Sequence, residues 1–312
     1  MNALIEVILP VFVVIGAGYA AARAGWFGES AVDGLMRFAQ TFAVPCLLFR
    51  SILSLDLGAS YDLNILAVFF VAAFISFGLG FLGARLIFRR AVQDSIAIGF
   101  ACYFSNSLLL GLPITERAYG HEALAGNFVI LSFHAPLLYA VGITLMEMAR
   151  SHGRSLSAPA LTLQVLRGIF TQPLVLGVVL GLAVNLSGLW VPVSVLAGVD
   201  MIARAAIPAA LFGLGGVLLR YRPEGDLRTI AMVCALSLLV HPGLTYLLGR
   251  HGFGLSTDQL RSAVLTAAMP PGVNAYMFAA MYGLAMRVAA SSVLLATAAS
   301  MGTIWLWLQI LP

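Results

Sequence analysis

Long apolar runs, each closed by charged or turn residues, recur along the whole chain. They predict helices near 3–22, 34–55, 63–88, 94–118 and 122–148, and again near 164–187, 192–219, 228–249, 258–281 and 286–311. Each run approaches or exceeds the ~20 residues that a helix needs to cross the hydrocarbon of a bilayer. The pattern therefore predicts an all-α integral membrane protein with ten transmembrane helices. Between the fifth and sixth runs lies a polar stretch with Gly153, Ser155, Ser157 and Pro159. The expected organisation is a first five-helix unit over 1–148, a cytoplasmic linker over 149–163 and a second five-helix unit over 164–312.

Composition strengthens this reading. Of the 312 residues 61% are hydrophobic and only 10% charged, against roughly a quarter charged in an ordinary soluble domain. A mean hydropathy of +0.99 excludes a water-soluble globule. Ten spans and short connections use up the chain and leave no room for a separate soluble domain. The first run carries Glu6 and no basic residue before Arg23, so it lacks the positive start of a secretory signal and reads as a permanent span.

All 17 basic residues are arginines, and the net charge is +4. That excess is a topology signal and gives no reason to expect nucleic acid. The odd-numbered loops hold Arg23; Arg85, Arg89 and Arg90; Arg150, Arg154 and Arg167; Arg220, Arg222 and Arg228; and Arg287, while the even-numbered loops hold only Arg50, Arg117, Arg250 and Arg261. The bias places the odd loops in the cytoplasm of a plasma (inner) membrane and both termini outside. Cys46, Cys102 and Cys234 each lie within an apolar run, without C-x-x-C spacing or a histidine cluster. Neither a disulfide framework nor a metal site is expected.

A shift of 163 residues lays Pro10 on Pro173, Gly18 on Gly181 and Gly25 on Gly188. The same shift lays Pro45-Cys46-Leu47-Leu48-Phe49 on Pro208-Ala209-Ala210-Leu211-Phe212, and Tyr119-Gly120 on Tyr282-Gly283. One register kept across several separated helices reads as an internal repeat. Five spans is an odd number, so the second copy is inverted relative to the first, as in many secondary transporters.

In such architectures the binding site lies near the bilayer midplane, where corresponding helices are interrupted. The fourth helix runs into Ser105-Asn106-Ser107 and on to Gly111 and Pro113, and the ninth into Met269-Pro270-Pro271-Gly272-Val273-Asn274. Pro270 and Pro271 have no amide proton for the carbonyls of Thr266 and Ala267. Unpaired backbone in hydrocarbon costs several kcal/mol, so irregular segments survive only inside protein or along a wet cavity. At the fourth-helix break the side chains of Ser105, Asn106 and Ser107 are expected to cap a new helix start. Two half-helices starting at midplane would present free amide protons and partial positive charge. Asn106 and Asn274 add neutral donors suited to a carboxylate. The expected substrate site is therefore Ser105, Asn106, Ser107, Pro270, Pro271, Gly272 and Asn274, with helices 4 and 9 broken and crossing at the midplane.

These motifs resemble the auxin efflux carrier family, which includes plant auxin carriers and bacterial organic-acid permeases. The resemblance rests on Asn106, Gly111 and Pro113 followed by Tyr119-Gly120, on Pro45 to Phe49, on Ile207-Pro208 with Leu211-Phe212, and on Met269-Pro270 with Tyr282-Gly283. It implies a scaffold of helices one, two, six and seven, a transport unit holding the crossed helices, and alternating access. In the plant members it also implies a homodimer. The sequence departs from the plant carriers in two places: Ser105 stands where they have proline, and the central loop is short, a form that suits a bacterial member.

His134, near the middle of the fifth helix, titrates near neutral pH and is a candidate proton relay; it resembles a position where plant carriers place a glutamine. His241 beside Pro242 reads as structural. Asp200 and Arg204, four residues apart, are expected to pair, and Arg50 to reach the headgroups. The favoured function is a carrier for a small organic anion such as malate, malonate or an auxin-like acid, embedded in lipid, without a cofactor and with H+ or Na+ as coupling ion. A sodium-coupled, bile-acid-like symporter is the alternative. A cation/proton antiporter would need carboxylates at the breaks, and an intramembrane enzyme a paired catalytic constellation that the sequence lacks.

Overall fold

The computed structural model describes residues 3–55, 62–150, 162–163, 166–167 and 172–312. Among them the protein is almost wholly helical and forms no strand. The helices are α1 (Leu4–Arg23), α2 (Glu29–Leu53), α3 (Leu63–Ile87), α4 (Val92–Tyr103), α5 (107–119), α6 (His121–Arg150), α7 (Pro173–Ser187), α8 (Val193–Arg220), α9 (Leu227–Gly252), α10 (Thr257–Ala267), α11 (Val273–Tyr282) and α12 (Met286–Ile310). Seven are long and apolar enough to cross a membrane: α1, α2, α3, α6, α8, α9 and α12. The protein is thus a multi-pass membrane protein.

The other three expected spans take a different form. The runs at 94–118 and 258–281 are each divided into two short helices, α4 with α5 and α10 with α11. The run at 164–187 contributes the 15-residue helix α7, and much of its first part lies outside the described residues. Most of the linker, including Arg154, also lies outside them.

Two compact units emerge, and each draws helices from both halves of the sequence. The first comprises residues 1–9, 62–166 and 221–312, and so contains α3 to α6 and α9 to α12. The second comprises residues 10–61 and 167–220, which is most of α1 with α2, α7 and α8. These are the helices that the resemblance assigns to a scaffold.

The second unit is held by close backbone approach. A methyl group at Gly18 of α1 would collide with the carbonyl of Phe212 on α8, and one at Gly215 with that of Ile15. At Gly181 of α7 it would lie 3.0 Å from the Phe49 carbonyl of α2. Glycine is the residue that lets helices meet this closely where lipid supplies no hydrophobic drive for their association. Asn185 then satisfies the end of α2, its amide donating to the carbonyls of Ile52, Leu53 and Leu55 at 2.9, 3.0 and 2.9 Å. The Asp200 carboxylate pairs with Arg50 at 2.8 Å rather than with Arg204 as its spacing suggested. A partner on another helix can present its guanidinium edge directly, which local i,i+4 spacing does not take into account. Arg50 ends in this ion pair with its side chain part-exposed.

In the first unit, polar groups are buried within apolar helices. Asn127, Thr115, Thr266 and Ser262 are all fully or almost fully buried. The Asn127 amide donates to Thr266 Oγ1 at 2.8 Å and Thr115 Oγ1 at 3.3 Å, and Ser262 donates to the Ala123 carbonyl at 2.8 Å. These bonds tie α5, α6 and α10 together around the place where the helices are interrupted.

Candidate functional site

Helix α4 is buried along nearly its whole length and ends at Tyr103. Phe104 and Asn106 then leave helical geometry, with ψ near 82° and 52°. On the other strand of chain, α10 ends at Ala267 and α11 begins at Val273. The two irregular stretches run antiparallel and satisfy each other. The Asn106 amide donates to the Pro270 carbonyl at 2.7 Å, and the Gly272 amide to the Phe104 carbonyl at 3.1 Å. Ser105 and Pro271 face each other in this bridge. Buried backbone must find partners, and here each interruption supplies the partners the other lacks.

The structure brings together Ser105, Asn106, Ser107, Pro270, Pro271 and Gly272, all buried, with Asn274 partly exposed just inside α11. His134 of α6 joins them. Its Nε2 lies 3.4 Å from Ser105 Oγ and 3.3 Å from Ser107 Oγ, and the two hydroxyls are 2.6 Å apart. The Ser107 hydroxyl also approaches the Ser105 carbonyl at 3.2 Å. The imidazole meets the Phe104 ring edge-on at 4.7 Å.

One expectation about this segment needs correction. Asn106 occupies the N-cap position of α5, yet its side chain makes no capping hydrogen bond. Its backbone carbonyl accepts the first bonds of the helix, from the amides of Leu110 at 3.1 Å and Gly111 at 3.3 Å, and its side chain leaves the first-turn amides uncapped. The first turn of α5 is widened, with the Leu112 amide reaching back five residues to Ser107, and such π-type turns are frequent at functional sites. The Ser105 and Ser107 hydroxyls turn to each other and to His134. The Asn106 residue is 8% exposed and its carboxamide is not used as a cap.

The environment is neutral. Among the described residues the buried polar groups are Ser, Thr, Asn and His, with no Asp, Glu or Arg. Donors gather at the starts of α5 and α11, whose first-turn amides have no intrahelical acceptor. A cavity of about 350 Å³ in the same unit lies at the other end of α4, lined by Arg90, Asp94, Asp226, Arg287 and adjoining backbone, and is separate from this site.

Sequence reasoning missed Tyr139. Its hydroxyl donates to the Asn274 carbonyl at 3.4 Å, and its ring packs on Phe104 at 5.2 Å, so it touches both interruptions. Five residues along α6 from His134, it does not share that residue's face, so the sequence carried no spacing signal for it. Phe100 and Phe278, stacked on each other beneath the bridge, carry no polar mark in the sequence.

Several buried polar side chains, Ser105, Asn106, Ser107 and His134 among them, thus meet where the runs at 94–118 and 258–281 divide. The chain belongs to the membrane transport protein family, the auxin efflux carriers, whose model matches residues 3–308. It is 26% identical over 299 residues to a protein of Rhizobium meliloti named "Putative malonate transporter", covering 95% of this chain and 92% of that one. An uncharacterized transporter of Methanothermobacter thermautotrophicus is 26% identical over 314 residues, covering 98% of each chain. The lysosomal cholesterol signaling protein of Mus musculus is 25% identical over 334 residues, which span 99% of this chain but 38% of that protein. The first two of these relatives and the family are transporters by name, and the chain is a transporter and not an enzyme.

Proposed function

We propose that this protein is a secondary carrier for a small organic anion of the malonate or malate type, working by alternating access. Ten spans form two inverted five-helix repeats, with α4/α5 and α10/α11 as broken helices crossing at the midplane of the plasma membrane, and both termini lie on the extracytoplasmic side. The reciprocal packing of Gly18 on Phe212 and Gly181 on Phe49 supports the repeat, because the shift of 163 residues converts one contact into the other.

The observation that carries the proposal is Asn106, which lies at the bridge and whose side chain is not spent on capping α5. A carboxamide left free in this way can donate to a substrate carboxylate. The uncapped amides of α5 and α11 add donors directed by the helix dipoles. Neutral donors suit a carrier that must also reorient empty, because no buried cation is left uncompensated. His134, in contact with both serines, is placed to carry the coupling proton. Malonate is the first substrate to test, from the name of the Rhizobium meliloti relative.

The test is counterflow of labelled malonate in proteoliposomes, with related dicarboxylates as competitors and with sodium present or absent. Saturable counterflow independent of sodium is expected. A strict sodium requirement would favour the sodium-coupled symporter, and no flux of any small organic acid would overturn the proposal.

A further inference from the structure

His241 lies in α9, where the helix is disturbed twice. Its own amide reaches back five residues to the Leu236 carbonyl in a π-type turn, and Pro242 follows it without an amide proton. Neighbouring helices repair the backbone there. The Ser76 hydroxyl of α3 lies 3.4 Å from the Leu236 carbonyl, and the Trp307 indole of α12 donates to the Leu238 carbonyl at 3.0 Å. The imidazole receives no such repair. The residue is 1% exposed, and neither ring nitrogen makes a hydrogen bond, although the Phe69 backbone approaches the ring.

A neutral imidazole has one donor and one acceptor, and with only the Phe69 backbone near the ring at least one of them goes unmet in a membrane interior, where phenylalanine or methionine would fill the same space. Buried unsatisfied groups in a native protein call for a reason, and ionisable residues at membrane depth are functional by default. The reason lies across Phe69. That ring sits 5.1 Å from His241 and 5.8 Å from His134, so the two imidazoles flank one fully buried phenylalanine. His134 in turn touches Ser105 and Ser107 at the interruption.

We propose that His241 is a second proton-holding residue of this carrier, exchanging a single proton with His134 past the edge of Phe69 through an intervening water. In the step an N–H bond on one imidazole breaks and one on the other forms, while the water gives up one proton and takes one. Like charges held this close oppose double occupancy, so the pair moves one proton at a time. The surroundings leave the exchange to these two groups. Helix α9 around His241 packs on α3, which has no charged residue through Leu82, on α10, whose Asp258 and Arg261 pair with each other in its first turns, and on α4 and α12, whose only charged residues, Asp94 and Arg287, stand in their first turns. Arg250 and His251 stand at the far end of α9, with Arg250 on the Tyr246 hydroxyl.

This inference rests on the carrier reading, and its test separates the two. Proteoliposomes are measured for labelled-malonate counterflow at equal pH on both sides, and for malonate uptake driven by an imposed pH gradient, with wild type, His241→Gln and His241→Met. The expected result is that both variants keep counterflow within about twofold of wild type while gradient-driven uptake falls by about tenfold or more. Gradient-driven uptake that persists in the variants, or counterflow lost in step with it, would overturn the relay, as would failure of both variants to fold. Wild type without any counterflow would remove the carrier reading itself.

Discussion

The two units solve the same problem, burying backbone in an apolar solvent, in opposite ways. In the unit of α1, α2, α7 and α8, glycines at Gly18, Gly181 and Gly215 let helix backbones approach closely, and the charged pair Arg50 and Asp200 stays part-exposed. The unit that holds α4, α5, α10 and α11 gives up helix continuity, and its polar groups are buried. Van der Waals contact between regular helices gives rigidity and has one good arrangement. Irregular backbone held by a few directed hydrogen bonds leaves donors available to something other than the protein. The first design suits a scaffold and the second a site.

The largest effect should come from forcing a side chain into the scaffold contact. Gly18→Leu places carbon against the Phe212 carbonyl, and overpacking against backbone at about 3 kcal/mol or more should leave little folded protein in detergent. Normal yield and thermal stability in that variant would break the contrast between the units. Gly16→Leu, where nothing lies within 4 Å, is the matched control and should be tolerated.

Next comes the site itself. Asn106→Asp should weaken malonate binding by about tenfold or more, since a donor to a charged group is worth about 1.5 to 3 kcal/mol and the new carboxylate repels the anion. Because the side chain does not cap α5, Asn106→Ala should weaken binding with almost no loss of stability. Calorimetric binding and melting on the same samples check both. If Asn106→Asp binds malonate as tightly as wild type, the irregular segments are only structural.

His134→Gln should leave binding largely intact while flattening the dependence of transport on pH between about 5 and 8, the range over which histidine ordinarily titrates. Wild-type transport already flat over that range would remove the motive. A smaller effect belongs to Arg50→Ala, which breaks a part-exposed pair and should cost roughly 1 kcal/mol or less in thermal stability. A much larger cost would mean that the scaffold depends on charge as well as close packing.

The smallest effect concerns Asp226, in the loop before α9. The Thr229 hydroxyl, chiefly, holds its carboxyl below its ordinary value of 3.8, with further help from Arg90 and the Arg228 amide. A carboxyl lowered on folding stabilises the protein above its unfolded value, and that contribution is lost as the pH falls through the lowered folded value. Asp226→Asn should therefore melt slightly earlier at neutral pH, and the deficit should vanish in strong acid. A deficit independent of pH would assign Asp226 to packing alone.

What the sequence determined by itself was where the chain is apolar, where its helices are disturbed, and which residues stand at those disturbances. Hydropathy and proline chemistry are local, so Pro270 and Pro271 marked one interruption, and Ser105-Asn106-Ser107 the other, without any knowledge of neighbours. The family was legible for the same reason, in short motifs held at fixed spacing. Tertiary structure alone decided what each polar group meets. Asp200 pairs with Arg50 across 150 residues and not with Arg204 one turn away, the Asn106 side chain leaves α5 uncapped, and Tyr139 and His241 gain their meaning only from the rings and carbonyls beside them. Hydrogen bonds are short and directional, so their partners depend on which helices lie side by side, and no window of sequence contains that information.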